Sequence, residues 1–493
     1  MNTFQRKSLY AALAGVGALG VTGAADAVNV NANGLGQVLI YPYYTVNSDS
    51  RGNAFNSLLS VVNSTSSAKA VKVRFVEGKD SRDVLDFNLF LSKFDVWTAA
   101  VIPSPVTAGA RVFTTDQSCT IPKNSLLQAG VDFVNYGYTG GAADGADTGL
   151  DRTKEGYVEI IEMATYAPST CTYQDITHIN GIPKDCAGIS DATAAFEAGS
   201  ATGGLFGGMA IINVDSGGDY STDAVALERF NPGPIYVFSG TDGPFLTGAS
   251  PATSIVFDAS VHKFATDLNI YVSNWPQASG YFAADPVSAV LMHDSVLNEF
   301  VLDSATASGT DWVVTFPTKR FYVEPGTGPA LKLFQRNFNN NAGACDDVTL
   351  VIYDREEETT TSPTTFSPPP PTFTNSICWE ANIITFNNSN VLGSQNSANI
   401  NTSFQNGWLH LGFAPPTSPN TYHTLGNTTN TTHIWNSGIG QETIGETKTY
   451  IGLPVVGFAV NSYTNGVLTV SGTQVLANYG SKFGQKATTL IIN

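Results

Sequence analysis

Three glutamates in the stretch KEGYVEIIE, Glu155, Glu159 and Glu162, are the residues whose type and spacing come nearest to acid–base chemistry. Glycoside hydrolysis needs two carboxyl groups flanking one glycosidic bond, and in retaining enzymes they stand about 5 Å apart. Strand residues alternate between faces, so Glu159 and Glu162 would point to opposite sides. Glu155 and Glu159 would share a face but lie roughly 13 Å apart by strand rise, too far for a retaining pair. The stretch therefore reads as an edge strand carrying solvated acids, and no catalytic residue is assigned. The six histidines, at 178, 262, 293, 410, 423 and 433, never stand at i, i+2 or i, i+4 from one another. GxSxG, HExxH and GxxxxGK motifs are absent, which removes the nucleophile elbow, the helical zinc site and the phosphate loop. The chain is expected to be non-enzymatic.

Hard oxygen ligands are more plentiful. Asp144, Asp147 and Asp151 in ADGADTGLD, and Asp215, Asp219 and Asp223 in DSGGDYSTD, sit on glycine-loosened segments and would suit calcium, although neither run has EF-hand spacing. The competing reading is turns held by Asx hydrogen bonds. No cofactor other than calcium is suggested. Tyr41, Tyr43 and Tyr44, gathered around Pro42 in GQVLIYPYYTVN (36–47), could form a platform for sugar rings. Their alternation with Val38 and Ile40 favours a strand first and recognition second. Trp97, Trp275, Trp379 and Trp408 are further candidates for stacking.

Five cysteines fall into an early three (119, 171, 186) and a late two (345, 378). Pairing within each group gives Cys345–Cys378, closing a loop worth roughly 3–4 kcal/mol in the chain-entropy model. It also gives Cys119 with Cys186 or Cys171, with Cys119–Cys186 preferred. A simple hairpin of Val348–Tyr353 with Ile377–Thr385 would not set Cys345 and Cys378 opposite each other, so that bridge is expected to tie a strand to the loop before its neighbour.

The elements that must position these residues are short strands. In 57–102, Val71, Val73 and Phe75 alternate with Lys72 and Arg74, and Leu85, Phe87, Leu89 and Leu91 with Asp86 and Asn88. That is period-2 text with one dry and one wet face, broken by polar turns every eight to twelve residues. It recurs at Tyr157–Met163, Met209–Val214, Ile235–Phe238, Asn269–Ser273, Trp312–Phe316, Val348–Tyr353, Ile383–Phe386 and Val467–Val470. Helices are few: Asp223–Phe230 with an acidic start, and Asp285–His293 with Pro286 at its first turn. The fold class is all-β, mainly antiparallel, with two sandwich- or jelly-roll-like domains, few short helices and long loops.

Residues 1–27 read as a Sec-type signal peptide: Arg6 and Lys7, then an apolar run from Leu9 to Val21, then Ala25-Asp26-Ala27 before a cut at Val28. The domains would be 28–240 and 241–493, the latter carrying a proline-rich loop at 356–376 and Asn/Thr-rich loops at 387–433. A net charge of −17 repels phosphate backbones and argues against nucleic acid as a partner. No transmembrane span is expected after residue 27. Charged residues are only 13% of the chain, so neutral Gly, Ser, Thr and Asn must keep it in solution.

The stretches 36–47 and 58–102, with WVVTFPTKRFYV (312–323), CDDVTLVIYDRE (345–356) and GLPVVGFAV (452–460), resemble a group of secreted β-rich proteins of Gram-negative bacteria called cell-surface or hypothetical proteins. The resemblance implies an exported β-protein and carries no activity or catalytic residue. The expected role is structural or adhesive, in an envelope, matrix or surface layer, through self-association or binding to an envelope or polysaccharide component. The alternative is a secreted carbohydrate-binding or carbohydrate-active protein.

Overall fold

The computed structural model describes residues 27–258, 269–275, 283–324, 333–360, 376–413, 422–426, 431–436, 441–470 and 473–492. The expected signal peptide and most of the proline-rich loop lie outside these residues.

Strand Glu155–Tyr166 is the axis of the first half. It pairs antiparallel with Val38–Thr45 on one side and Ala68–Glu77 on the other. The seven-stranded sheet around it is completed by Asn29–Val30 and Val225–Glu228 at one end, and by Asp83–Leu91 and Cys119–Ile121 at the other. A six-stranded sheet lies against it, in the order Gly218–Asp223, Leu205–Asn213, Asn56–Asn63, Val96–Pro103, Ala110–Phe113, Val131–Asp132. Between the sheets, Leu39, Val73, Phe75, Phe87, Leu89 and Ile160 meet Leu59, Val61, Trp97, Val101 and Ile211 in one buried cluster. The period-2 pattern selects these residues, because alternate positions of each strand face the same way.

The expected wet face is not wet. Lys69, Lys72 and Arg74 are buried, as are Glu155, Glu159 and Glu162. Glu155–Tyr166 is thus a central strand and not an edge. Segments after it fold back over the sheet: Thr202 and Gly203 donate backbone N–H groups to Glu162, and Val237 accepts from Asn88. A small cluster of Ala70, Phe90, Met163, Tyr166, Ile176 and Ala194 fills the space beneath them. All but Glu155, which is held by hydrogen bonds alone, find an opposite charge: Lys69–Glu162 at 2.6 Å, Lys72–Asp86 at 2.8 Å, and Arg74 with Glu159 and Asp83. Buried ions persist only when paired or hydrogen-bonded in this way.

Two element expectations fail. Residues 225–228 form a strand on Val38–Ile40, not a helix, since so short a run nucleates poorly and backbone pairing on both sides is available. Ile235–Phe238, preceded by two prolines, joins no ladder; its backbone bonds run from the Ile235 N–H to the Met163 carbonyl and from the Thr241 N–H to the Phe238 carbonyl. The helix at Asp285–Leu291 forms with Pro286 in its first turn.

The second half contributes a five-stranded sheet, Ser397–Ile400, Ala381–Phe386, Gly309–Thr315, Val456–Val470, Thr473–Gly484. A further five-stranded sheet is built on Ser295–Val301, Thr349–Asp354 and Asn406–Gly412, and a four-stranded one on Thr253–Asp258 and Asn269–Asn274. The Asn/Thr-rich region 387–433 therefore contains the strands Ser397–Ile400 and Asn406–Gly412 as well as loops. Among the described residues, strand ladders do not cross 240–250; backbone bonds that do cross include the isolated bridge of Val28 with Ser254 and the Ala381 N–H bond to the Gly78 carbonyl. Side-chain packing does cross. Val313, Ile383, Phe458 and Val460 enter the first core, while Val38, Ile40, Tyr157 and Ile161 enter the second. Strand ladders thus stop at 240–250, whereas apolar contacts and hydrogen bonds both cross it.

Both expected disulfides are present, Cys119–Cys186 and Cys345–Cys378, and Cys171 is an exposed free thiol. The hairpin objection dissolves, because a two-residue ladder pairs Asp346 with Ile377 and Asp347 with Ser376. One step further along that ladder, residues 345 and 378 face each other. No helix among the described residues is long and apolar enough to cross a membrane.

Candidate interaction surface

The residues singled out in the sequence are dispersed, and most are occupied internally. Tyr41, Tyr43 and Tyr44 are fully buried, so sugar stacking is closed to them. Their hydroxyls donate to the Ser60 carbonyl at 2.7 Å, the Glu155 carboxylate at 2.6 Å and the Thr153 carbonyl at 3.1 Å. Glu155 also accepts from Ser394 Oγ and from the backbone N–H groups of Gln395 and Asn396, which makes it a clamp between the halves. Glu159 is held by Arg74 and Glu162 by Lys69, so the three glutamates serve three separate partner sets. Burial pushes the Glu159 and Glu162 pKa values up against the pull of Arg74 and Lys69. With all three carboxylates buried and engaged, none is presented to a substrate.

The aspartate runs do not converge. Asp144 pairs with Arg152, Asp147 accepts from the Gly149 N–H within its own turn, and Asp151 pairs with Lys154. Asp219 and Asp223 are four residues apart on one strand, roughly 13 Å by strand rise, and Asp215 is exposed in the preceding turn. Among the described residues no group of three or more His, Cys, Asp or Glu side chains is placed to hold a metal ion. Calcium at either run is thus unsupported, since the carboxylates are separated or neutralised by cations.

Trp97 and Trp275 are buried, Trp379 is half-buried, and Trp408 is 37% exposed. Trp408 stacks face to face on Tyr353, with ring centroids 4.3 Å apart.

Two surfaces stand out among the described residues. The first is the outer face of the six-stranded sheet, where cross-strand register builds apolar rows. Phe206, Val62 and Val96 form one row; Ala210, Leu58, Ala100 and Phe113 form another. Leu58, Val96 and Phe206 are each at least 40% exposed. The second row borders a hollow of about 600 Å³ shared with Ser60, Thr98, Thr222 and Asp223.

The second surface is a ribbon. Strand Val456–Val470 pairs with Gly309–Thr315 only from Val456 to Ser462, yet its pairing with Thr473–Gly484 continues to Val470 opposite Thr473. Beyond Ser462 the two strands stand out from the sheet as a hairpin. Its base is steadied by Asn478, whose side chain donates to the Ser216 carbonyl, and by Gly480, packed so closely on Asp219 and Tyr220 that a Cβ would meet the Asp219 carbonyl at 2.8 Å. Thr473–Gly484 is also the edge of its sheet and carries one charged residue, Lys482. The alternation at Val467–Val470 marks one arm of this ribbon in the sequence; its projection depends on where the neighbouring strand stops, which no local pattern encodes.

No family model matches the chain, and no curated protein matches it.

Proposed function

We propose that this is an exported, non-enzymatic surface protein whose role is structural or adhesive and which assembles with further copies of itself. The observation that carries the reading is the ribbon continuing into a twelve-residue edge strand with a single charge. Away from Asn478–Gly480, which pack on Ser216–Tyr220, an edge strand of this kind presents unpaired N–H and C=O groups in a row, and a second copy offers the same row. A two-stranded ribbon is marginal in water by itself, so its length favours a partner that covers it. The two disulfides fit an oxidising compartment outside the cytoplasm. The apolar rows of the six-stranded sheet supply a second contact area.

Light scattering of the purified protein tests this. Assembly should be concentration-dependent, strengthened by divalent cations that screen the acidic surface. It should fall at least tenfold when 465–477 are replaced by an Asn-Gly turn. A monomer at all concentrations, unaffected by that replacement, overturns the reading. The carbohydrate-binding alternative rests on the exposed Trp408–Tyr353 stack; Trp408→Ala abolishing retention on a polysaccharide would favour it.

A further inference from the structure

Among the described residues three lysines, Lys69, Lys72 and Lys319, are buried to 1% exposure or less, and two of them are conventionally satisfied. Lys69 donates to Glu162 and Thr202, and Lys72 to Asp86 and the Thr241 carbonyl. Lys319 differs. Its Nζ lies 3.0 Å from Asp346 Oδ2, with both side chains at most 1% exposed, yet the contact lacks hydrogen-bond geometry. Neither atom has any other hydrogen-bond partner. The ammonium sits between the rings of Phe316 and Phe334, 5.5 and 5.3 Å from their centroids. The ring faces attract the cation, but far more weakly than the water it has lost. An amine this close to a carboxyl group, with no hydrogen bond fixing it in plane, is placed for attack on the carbon. The 3.0 Å separation runs to Oδ2, one bond from the Cγ that would be attacked, and holding the two groups side by side in this way is worth a large effective concentration.

The other oxygen of Asp346 is prepared as a leaving group. Oδ1 accepts from the Gln335 backbone N–H at 2.7 Å and faces His423 Nε2 at 3.2 Å. His423 Nδ1 lies 2.7 Å from the Phe413 carbonyl, which can only accept, so Nδ1 carries a hydrogen. One proton must then lie between Nε2 and Oδ1, on the ring or on the acid, because two bare acceptors would repel. His423 is thus able to pass protons to Oδ1. Lys319 and His423 together keep Asp346 below the usual carboxylate range despite its burial, so the resting acid is a carboxylate. Glu380, buried with Oε1 unpartnered, lies within the influence of the Lys319 charge, and burial pushes its pKa well above the usual carboxylate range, so it stands beside the pair as a neutral acid.

We propose that Lys319 and Asp346 condense spontaneously in the folded protein to an amide, a covalent side-chain cross-link that needs no enzyme or cofactor. Nζ gives up a proton and attacks Cγ. The Cγ–Oδ1 bond breaks, and Oδ1 leaves as water with the two protons lost from nitrogen, relayed through His423. Nothing is oxidised or reduced; one ammonium and one carboxylate become one amide and one water. The bridge would join the turn before the short Arg320–Val323 helix to the strand residue next to Cys345, beside the Cys345–Cys378 disulfide. That region would then be tied twice, once in a way that reducing agents cannot undo. The unsatisfied geometry separates this site from the ion pair at Lys69, whose carboxylate accepts two backbone N–H groups and gains nothing from reaction.

The experiment is a mass measurement on the purified full chain after reduction of its disulfides. Trypsin should fail to cleave after Lys319, and the peptide containing it should be recovered joined to the peptide containing Asp346, lighter than their sum by one water. The Lys319→Arg and Asp346→Ala variants should each match their own sequence masses. His423→Gln should leave a fraction of chains unbridged; complete bridging there removes His423 from the chemistry. Linear peptides at full mass from the native protein, with cleavage after Lys319, overturn the proposal whether or not any variant folds.

Discussion

Lys69 and Glu162 illustrate the energetics at the scale of a residue. Each is fully buried, and the carboxylate accepts from Lys69 and from two backbone N–H groups. Removing one member leaves the other charge in the interior, so Lys69→Met should destabilise the protein by about 3–5 kcal/mol in urea unfolding. The exposed pair Lys154–Asp151 is the control, and Lys154→Met should shift stability by less than about 1 kcal/mol. Asp311 predicts a pH dependence. It is buried, hydrogen-bonded to the Leu392 N–H, and burial pushes its pKa up to about 6 from an ordinary 3.8. A raised acid folds more readily when protonated, so its stabilising contribution is complete below pH 3.8 and is lost as pH rises to about 6. Asp311→Asn should flatten the stability profile between these values; an unchanged slope would show that the carboxyl does not titrate there.

At the scale of elements, strands were legible wherever one side of the period-2 text faces the sandwich. Val71, Val73 and Phe75 are examples, and so are Phe87, Leu89 and Leu91. What the pattern hid was the covering of the other side. Alternating Lys and Asp in Ala68–Leu91 look like solvent-facing residues, and only the distant partners Glu159, Glu162 and the 200–241 segment reveal them as interior. The candidate surface is legible in part, since the alternation at Val467–Val470 marks a strand while nothing in it marks the projection. Cysteine pairing was legible from grouping; the ladder that aligns Cys345 with Cys378 was too short to see. Cys378→Ser should lower stability by about 3–4 kcal/mol, the value expected when a loop of this length is opened, read as a fall in the denaturation midpoint. A drop no larger than that from mutating Cys171, which is exposed and unpaired, would mean that the bridge contributes little to folding.

The whole molecule is organised by two rules that do not coincide: ladders stop at 240–250, and packing ignores that limit. Calorimetry should therefore show one cooperative transition. A fragment of residues 28–240 alone should expose the apolar side chains that Val313, Ile383 and Phe458 normally cover, and should bind a hydrophobic dye; two independent transitions would contradict the shared core. The Glu155 clamp on Ser394, Gln395 and Asn396, with Thr315 donating to the Pro42 carbonyl, adds polar contacts to the same seam. Residues 240–242 are exposed and belong to no ladder. A protease nick there would sever the chain without breaking one strand-to-strand hydrogen bond, so the molecule is divisible in its covalent thread and indivisible in its interior. The two pieces should travel together through gel filtration, part only in denaturant, and find each other again when it is removed, much as two subunits of an obligate heterodimer do.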